Sequence, residues 1–216
     1  MFDWEFVFSH AYLFKDALLL TLQISAIGIL LSFIIGFVCA LLLSFKKIFF
    51  LSMCAGIYTE IARNTPLVLQ IFFLYFGLNR IGLELSAFWC ASLGLMFLGG
   101  GYMCESFRTG LQSVGKSQIE SALSLGFKKS QIMRFVLLPQ ASGVSMPSIA
   151  ANVIFLIKET SVVSVIALAD VLYISKDIIS VYSKTYEALF MLICAYLVVL
   201  LPLSIFFSFC EKRFRI

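Results

Sequence analysis

The chain has 216 residues and a net charge of +4; 61% are hydrophobic and 13% charged, against roughly 45–50% and ~25% in ordinary soluble domains. Mean hydropathy is +1.02. So few polar groups cannot cover a soluble globule of one-domain size, which excludes a soluble enzyme, a nucleic-acid-binding module and a disordered tail, and leaves a chain that lives in a bilayer.

The opening MFDWEFVFSH is acidic and aromatic and lacks the basic start of a cleaved signal peptide. The 29 uncharged residues from Ala17 to Phe45 exceed the ~20 that cross the hydrocarbon core. Within them Gly28, Ser32, Gly36 and Ala40 recur every four residues, a stripe along which a second helix can approach. Residues 48–79 are too long for one span and contain Glu60, Arg63, Asn64 and Pro66. They read as a lead-in helix along the membrane surface, a polar break at 60–66, and a span to Asn79. Leu85 to Cys104 is 20 uncharged residues, a third span, in which Gly99, Gly100 and Gly101 permit close packing or local unwinding.

The stretch from Glu105 to Gln140 is the longest polar one between spans. Its residues 110–117, GLQSVGKS, match the phosphate-loop pattern, and VIALAD at 165–170 mimics the aspartate that accompanies one. A phosphate loop works only between a buried strand and a helix. Here an uncharged span precedes it, no strand–helix alternation exists, and no length is left for a nucleotide domain, so the match is refused. Ser117 to Glu120 reads as a capping box opening a short helix, with Ile119, Ala122 and Leu123 on its apolar face and Gly126 as a left-handed stop. A second short helix runs through Gln131, Ile132 and Phe135 to Pro139. Two readings fit these exposed apolar faces with basic flanks: a partner protein covers them, or they rest on the membrane interface or the chain's own spans.

Phe135 to Ile157 is uncharged but interrupted by Pro139 and Pro147; Pro139 is expected to end one helix, leaving about 17 residues for a fourth span. The 10-residue run Thr160 to Ala169 is too short to cross and suits a re-entrant segment. Ala188 to Cys210, 23 residues, is the fifth span. With the N-terminus outside, 11 basic residues face inward (Lys46, Lys47, Arg63, Arg108, Lys116, Lys128, Lys129, Arg134, Lys212, Arg213, Arg215) and 5 outward (Lys15, Arg80, Lys158, Lys176, Lys184), the asymmetry of a cytoplasmic C-terminus and 105–140 loop. The six cysteines form no CxxC pair and His10 has no neighbouring ligand, so neither a metal site nor a catalytic group is expected.

Residues 119–141, IESALSLGFKKSQIMRFVLLPQA, resemble the EAA loop of ABC importer permeases, with Glu120, Ala122, Gly126, Leu138 and Pro139 on the pattern and Ser121 where alanine is usual. The blocks TLQIS, YTEIARNTPLVLQIFFLYFGL (58–78), GYMCESFRTGLQSV (101–114) and KETSVVSVIAL (158–168) are similar to the polar amino acid branch of that family, the histidine, glutamine and arginine type. They follow in order over nearly the whole chain. Departures are Gly101 where alanine is usual in the Gly-Ala-Tyr of 100–102, and the absence of a basic residue shortly after LPQA.

The resemblance implies an all-α membrane protein of type I ABC importer permease architecture, one domain over 1–216, multi-pass in a bacterial cytoplasmic membrane. It implies that the 105–140 loop couples to a separate cytoplasmic ATPase through Glu120, Ser121, Ala122, Gly126, Ile132, Leu138 and Pro139. The chain itself would bind no cofactor, ATP and magnesium residing on the ATPase subunits. A second permease, identical or related, and an extracytoplasmic amino-acid-binding protein complete the expected assembly in the lipid bilayer. Polar residues in apolar surroundings are candidates for the solute path: Tyr58, Glu60, Arg63 and Asn64 before the second span, Lys158, Glu159 and Thr160 after the fourth. Structural alternatives are a Glu60–Arg63 pair at i,i+3, and Lys158 paired with Glu159 or a lipid headgroup. A secondary transporter or channel without an ATPase is the rival, though no inverted repeat is visible; another solute on the same architecture is a second.

Overall fold

The computed structural model describes residues 2–45 and 48–214; Lys46, Lys47 and Arg215, used in the charge count above, lie outside them. All regular structure among the described residues is helical. Helix α1 spans Trp4–Phe45, α2 Phe49–Asn64, α3 Leu67–Phe72, α4 Ala87–Ser113, α5 Lys116–Ser124, α6 Lys129–Ile132, α7 Leu138–Glu159, α8 Val171–Tyr182 and α9 Thr185–Phe214. Four helical stretches are long and apolar enough to cross a bilayer: Trp4–Phe45, Ala87–Ser113, Lys129–Ile166 and Thr185–Arg213. The pair Phe49–Asn64 and Leu67–Ile81, bent by 107°, makes a fifth if it is one span.

The small-residue stripe of α1 is where α4 lies. A Cβ on Gly28 would meet Leu95 at 2.7 Å, and one on Gly36 would meet Met103 Cβ at 2.5 Å and the Cys104 backbone nitrogen at 2.7 Å. Ser32 donates to Gly28 O at 2.7 Å and points at the carbonyls of Leu95 and Met96, as expected where two backbones nearly touch. Ala40 is fully buried. The three glycines of α4 remain helical and serve three neighbours: Gly99 faces Ser32 and Leu156, Gly100 the Tyr58 hydroxyl, and Gly101 Ala62 and Arg63. The core gathers around them, with Ile24, Ile71, Leu95, Met103 and Leu156 all at most 1% exposed.

Several sequence expectations need correction. Helix α4 does not stop at Cys104 but runs to Ser113, so Glu105 to Ser113 belong to a span-forming helix rather than a loop. Pro139 does not end a helix. Its missing N–H is accommodated by a π-helical turn, Met133–Leu137, and the proline sits in the first turn of α7, where a nitrogen needs no partner. Helix α5 starts one residue before Ser117, is capped by Gly115, and shows no side-chain cap, so the Ser117–Glu120 capping box does not form. The reciprocal contact occurs in α6 instead, where Lys128 N donates to the Gln131 side chain at 2.8 Å. The break at Thr65 and Pro66 is laced by Gln70, whose amide donates to Thr65 O, Thr65 Oγ1 and Ala62 O. Thr160–Ile166 is a 3-10 turn that leaves α7 and leads to α8.

Candidate functional site: a helical platform and a polar pocket

Helices α5 and α6 form a small platform at the end of α4. Ala122 and Ile132 are buried against each other's surroundings with Val114 and Leu137, which ties the two short helices together. Gly126 closes α5 with φ +82°. Phe127 N donates to Ala122 O at 3.1 Å and Gly126 N to Leu123 O at 2.9 Å, the paired bonds of a Schellman stop. Glu120, Ser121 and Pro139 are on the surface and Leu138 is half-buried. Phe135, and Leu125, which the sequence did not single out, are 61% and 77% exposed. Arg134 lies over Phe135 beside the exposed Lys128 and Lys129. The platform therefore offers an apolar surface with a basic rim.

The glycines of the refused phosphate motif have structural places: one packs against α7 and one precedes α5. A Cβ on Gly110 would fall 1.9 Å from Ser145 Oγ, and Gly115 caps α5.

The second feature is a polar pocket of about 220 Å3 between the end of α2, the C-terminal half of α4 and α7, lined by Arg63, Tyr102, Glu105, Ser106, Ser148 and Asn152 among others. Arg63 Nη1 lies 3.6 Å from Glu105 Oε2, and its guanidinium faces the Tyr102 ring at 5.9 Å. Arg108 Nε donates to Glu105 Oε2 at 3.2 Å. Glu105 is thus held between two guanidiniums, and the Glu60–Arg63 pair foreseen as a structural alternative does not form; Glu60 instead accepts from Asn64 at 3.1 Å. Arg63 is within reach because Gly101 leaves room: a Cβ there would stand 3.0 Å from Arg63 Cγ. Deeper in, Asn152 Nδ2 donates to Ser106 Oγ at 2.8 Å, and Ser106 and Ser148 hydroxyls meet at 2.6 Å. The buried Arg63 Nε has no partner. A site with one carboxylate, two cations and a ring of hydroxyl and amide groups suits a small zwitterion with a polar side chain.

Other path candidates are placed differently. Tyr58 donates to Phe97 O at 2.9 Å across to α4, so its hydroxyl is spent on packing. Thr160 is fully buried and donates to Ile157 O at 2.7 Å. Lys158 and Glu159 end α7, about 10 Å along the helix from Asn152, and no ion pair joins them to each other or to Arg63 among the described residues. The 58–64 and 158–160 groups do not form one site. Sequence reasoning missed Glu105, Ser106, Ser148 and Asn152. The signal was there in the polar i, i+3, i+4, i+7 spacing of Tyr102, Glu105, Ser106 and Thr109, hidden because Glu105 was read as the start of a loop.

Comparison with known proteins gives concordant results. Residues 12–216 match the family described as binding-protein-dependent transport system inner membrane component. A probable glutamine ABC transporter permease protein, GlnM of Bacillus subtilis (strain 168), is 33% identical over 209 residues, 96% of this chain and 95% of that one. The arginine transport system permease protein ArtQ of the same organism is 35% identical over 160 residues, 73% and 72% of the two chains. Among solved structures, one described as an amino acid ABC transporter with histidines superposes with a TM-score of 0.90 at 30% identity over 99% of both chains. An inward-facing methionine ABC transporter, MetNI, shares the fold at TM-score 0.76 and 16% identity, over 94% of this chain and 96% of that one.

Proposed function

Because the chain belongs to the family of binding-protein-dependent transport system inner membrane components, we propose that it is the membrane-spanning permease subunit of an ATP-driven importer for a polar amino acid. The observation that carries the solute class is the pocket around Glu105. Polar and charged groups in apolar surroundings are costly unless used, and here Arg63, Glu105 and an asparagine line one cavity between three helices, with Arg108 paired to Glu105. An amino acid's ammonium and carboxylate would meet Glu105 and Arg63, and its side chain the Ser148 and Asn152 end. Glutamine and arginine carriers among the relatives support this class. The α5–α6 platform is the docking surface for a cytoplasmic ATP-binding subunit, which holds ATP and magnesium. The excess of lysine and arginine supports an orientation with the platform and the C-terminus inside and the N-terminus outside. A second permease subunit and an extracytoplasmic binding protein complete the assembly in the cytoplasmic membrane.

The test is uptake per assembled complex in vesicles for Arg63→Gln and Asn152→Ala. Loss of one hydrogen-bonded contact to a charged solute costs about 1.5–3 kcal/mol, so affinity should fall roughly tenfold or more while co-purification with the ATP-binding subunit is unchanged. Wild-type uptake per complex in both variants would refute the pocket as the solute site.

A further inference from the structure

Between the N-terminal half of α1 and the first half of α9 runs a groove of about 480 Å3. Lys15 is the one charged residue that lines it, and every other lining residue is hydrophobic. The α1 wall is a single helical face, on which Phe8, Ala11, Lys15, Leu19 and Leu22 recur every three or four residues. Lys15 is exposed, and no ion pair among the described residues involves it. Asp16, its neighbour in sequence, lies about 100° round the helix and does not line the groove. The nearby Asp3 is already paired with Lys184.

The position of that charge along the groove is informative. Lys15 and Asp16 are the last charges before the uncharged stretch from Ala17 to Phe45, so Lys15 stands at the edge of the hydrocarbon. Leu22 is about 10 Å further along α1, inside one half of the ~30 Å apolar core. On the other side of Lys15, toward the N-terminus, the mouth of the groove is aromatic. Trp4 stacks on Phe8 at 6.4 Å and meets Phe190 edge-on at 5.5 Å, and Trp4, Phe8 and Tyr186 are exposed. Such rings belong at headgroup level. A ligand that fills the groove thus carries its negative charge in the middle, with a headgroup beside the aromatic mouth and an apolar chain below. A free fatty acid, charged at its end, would leave the aromatic half empty.

We propose that this groove binds one anionic phospholipid from the leaflet at the N-terminal end of α1, with its phosphate on the Lys15 ammonium. One acyl chain lies along Leu19 and Leu22 of α1 and Cys194 and Val198 of α9. The net negative charge matters because a zwitterionic headgroup brings its own cation to compete with Lys15. The inference rests on α1 and α9 being membrane spans, not on the solute carried.

The experiment uses the assembled transporter in phosphatidylcholine nanodiscs. The probe is a small fraction of phosphatidylglycerol with a photoreactive group midway along one chain, compared with the matching phosphatidylcholine probe. After illumination, cross-links are mapped to the peptides carrying Leu19 and Val198. One lysine at an anionic lipid surface is worth about fivefold in affinity, so phosphatidylglycerol should label these peptides about fivefold more than phosphatidylcholine. Lys15→Arg should keep that ratio and Lys15→Gln should bring it to about one. Leu19→Trp, at a half-exposed wall position, should block the groove and reduce labelling at Val198 by both probes. If Leu19→Trp does not assemble, Lys15→Gln decides, since it removes an exposed side chain. Equal labelling by the two lipids in wild type, or a preference that survives Lys15→Gln, would overturn the proposal. So would the absence of labelling by either probe, which would mean that a protein, such as the second permease subunit, covers the groove.

Discussion

At the scale of single residues, Gly126 carries the sharpest conformational constraint. Gly126 sits at φ +82° with open space around its Cβ position, so its constraint is conformational and not steric. The left-handed region costs an ordinary L-residue about 1–2 kcal/mol, and a β-branched one more. Gly126→Val should therefore leave the spans folded but misdirect α6, and the chain should accumulate in the membrane while the ATP-binding subunit fails to co-purify. Co-purification at the wild-type level would remove the platform from the coupling role. Outside the spans, Lys184 donates to Asp3 at 2.8 Å, and Asp3 N donates to Glu187 at 2.9 Å. That Lys184 hydrogen bond holds the Asp3 carboxyl below its usual range. A depressed carboxyl stabilises above the ordinary ~3.9 and stops doing so as pH falls through its lowered value. Protection of the first turn of α1 against hydrogen exchange should thus weaken in acid in wild type, and be weak at every pH in Asp3→Asn. A profile unchanged by Asp3→Asn would show that the pair does not anchor the N-terminus.

At the scale of elements, the α1–α4 seam rests on small residues. Gly36→Leu would drive a side chain into the backbone of α4, where the nearest atoms, Met103 Cβ and Cys104 N, cannot swing aside. Overpacking of this kind typically costs 1–3 kcal/mol and more where backbone must move, so the chain should fail to accumulate. Gly115→Ala is the contrasting case, since only the flexible Ser117 hydroxyl lies near, at 3.6 Å. It should be neutral for both assembly and uptake, together with Lys116→Ala. A phosphate loop would tolerate neither, and loss of uptake in both would reopen that reading. The seam was legible in sequence because its period of four is a property of one helix. The π-helical turn before Pro139 was not, because a proline interior to a helical stretch has two outcomes, a stop or a bulge. The choice depends on the packing of Ile132 and Leu137 under α5, which no local pattern encodes. The failed capping box has a similar cause: Ser117 offers a cap, but Gly115 lies where the chain leaves α4.

At the scale of the whole molecule, five hydrophobic stretches and the positive-inside count were readable, and the helices appear where those stretches are, including the 107° bend at the polar break. What was not readable is which polar residues share a cavity. Arg63 meets Glu105 across 42 positions of sequence, and Asn152 meets Ser106 across 46. Such pairs come from how α2, α4 and α7 pack, and only the α4 half of them leaves a periodic trace. The orientation is tested by single cysteines at Ser117 and Asp3 in a background without native cysteines. An impermeant thiol reagent applied to intact cells should label position 3 and spare 117, and the reverse would invert the topology. The central claim is that this chain moves a polar amino acid only as the permease of an ATP-driven assembly. It is tested most directly in proteoliposomes containing the chain with its ATP-binding subunit and binding protein, by following labelled glutamine and arginine. Uptake of one of them that requires ATP on the ATP-binding-subunit side and vanishes without the binding protein is the result expected. Uptake by the chain without the ATP-binding subunit, driven by an ion gradient alone, would contradict it.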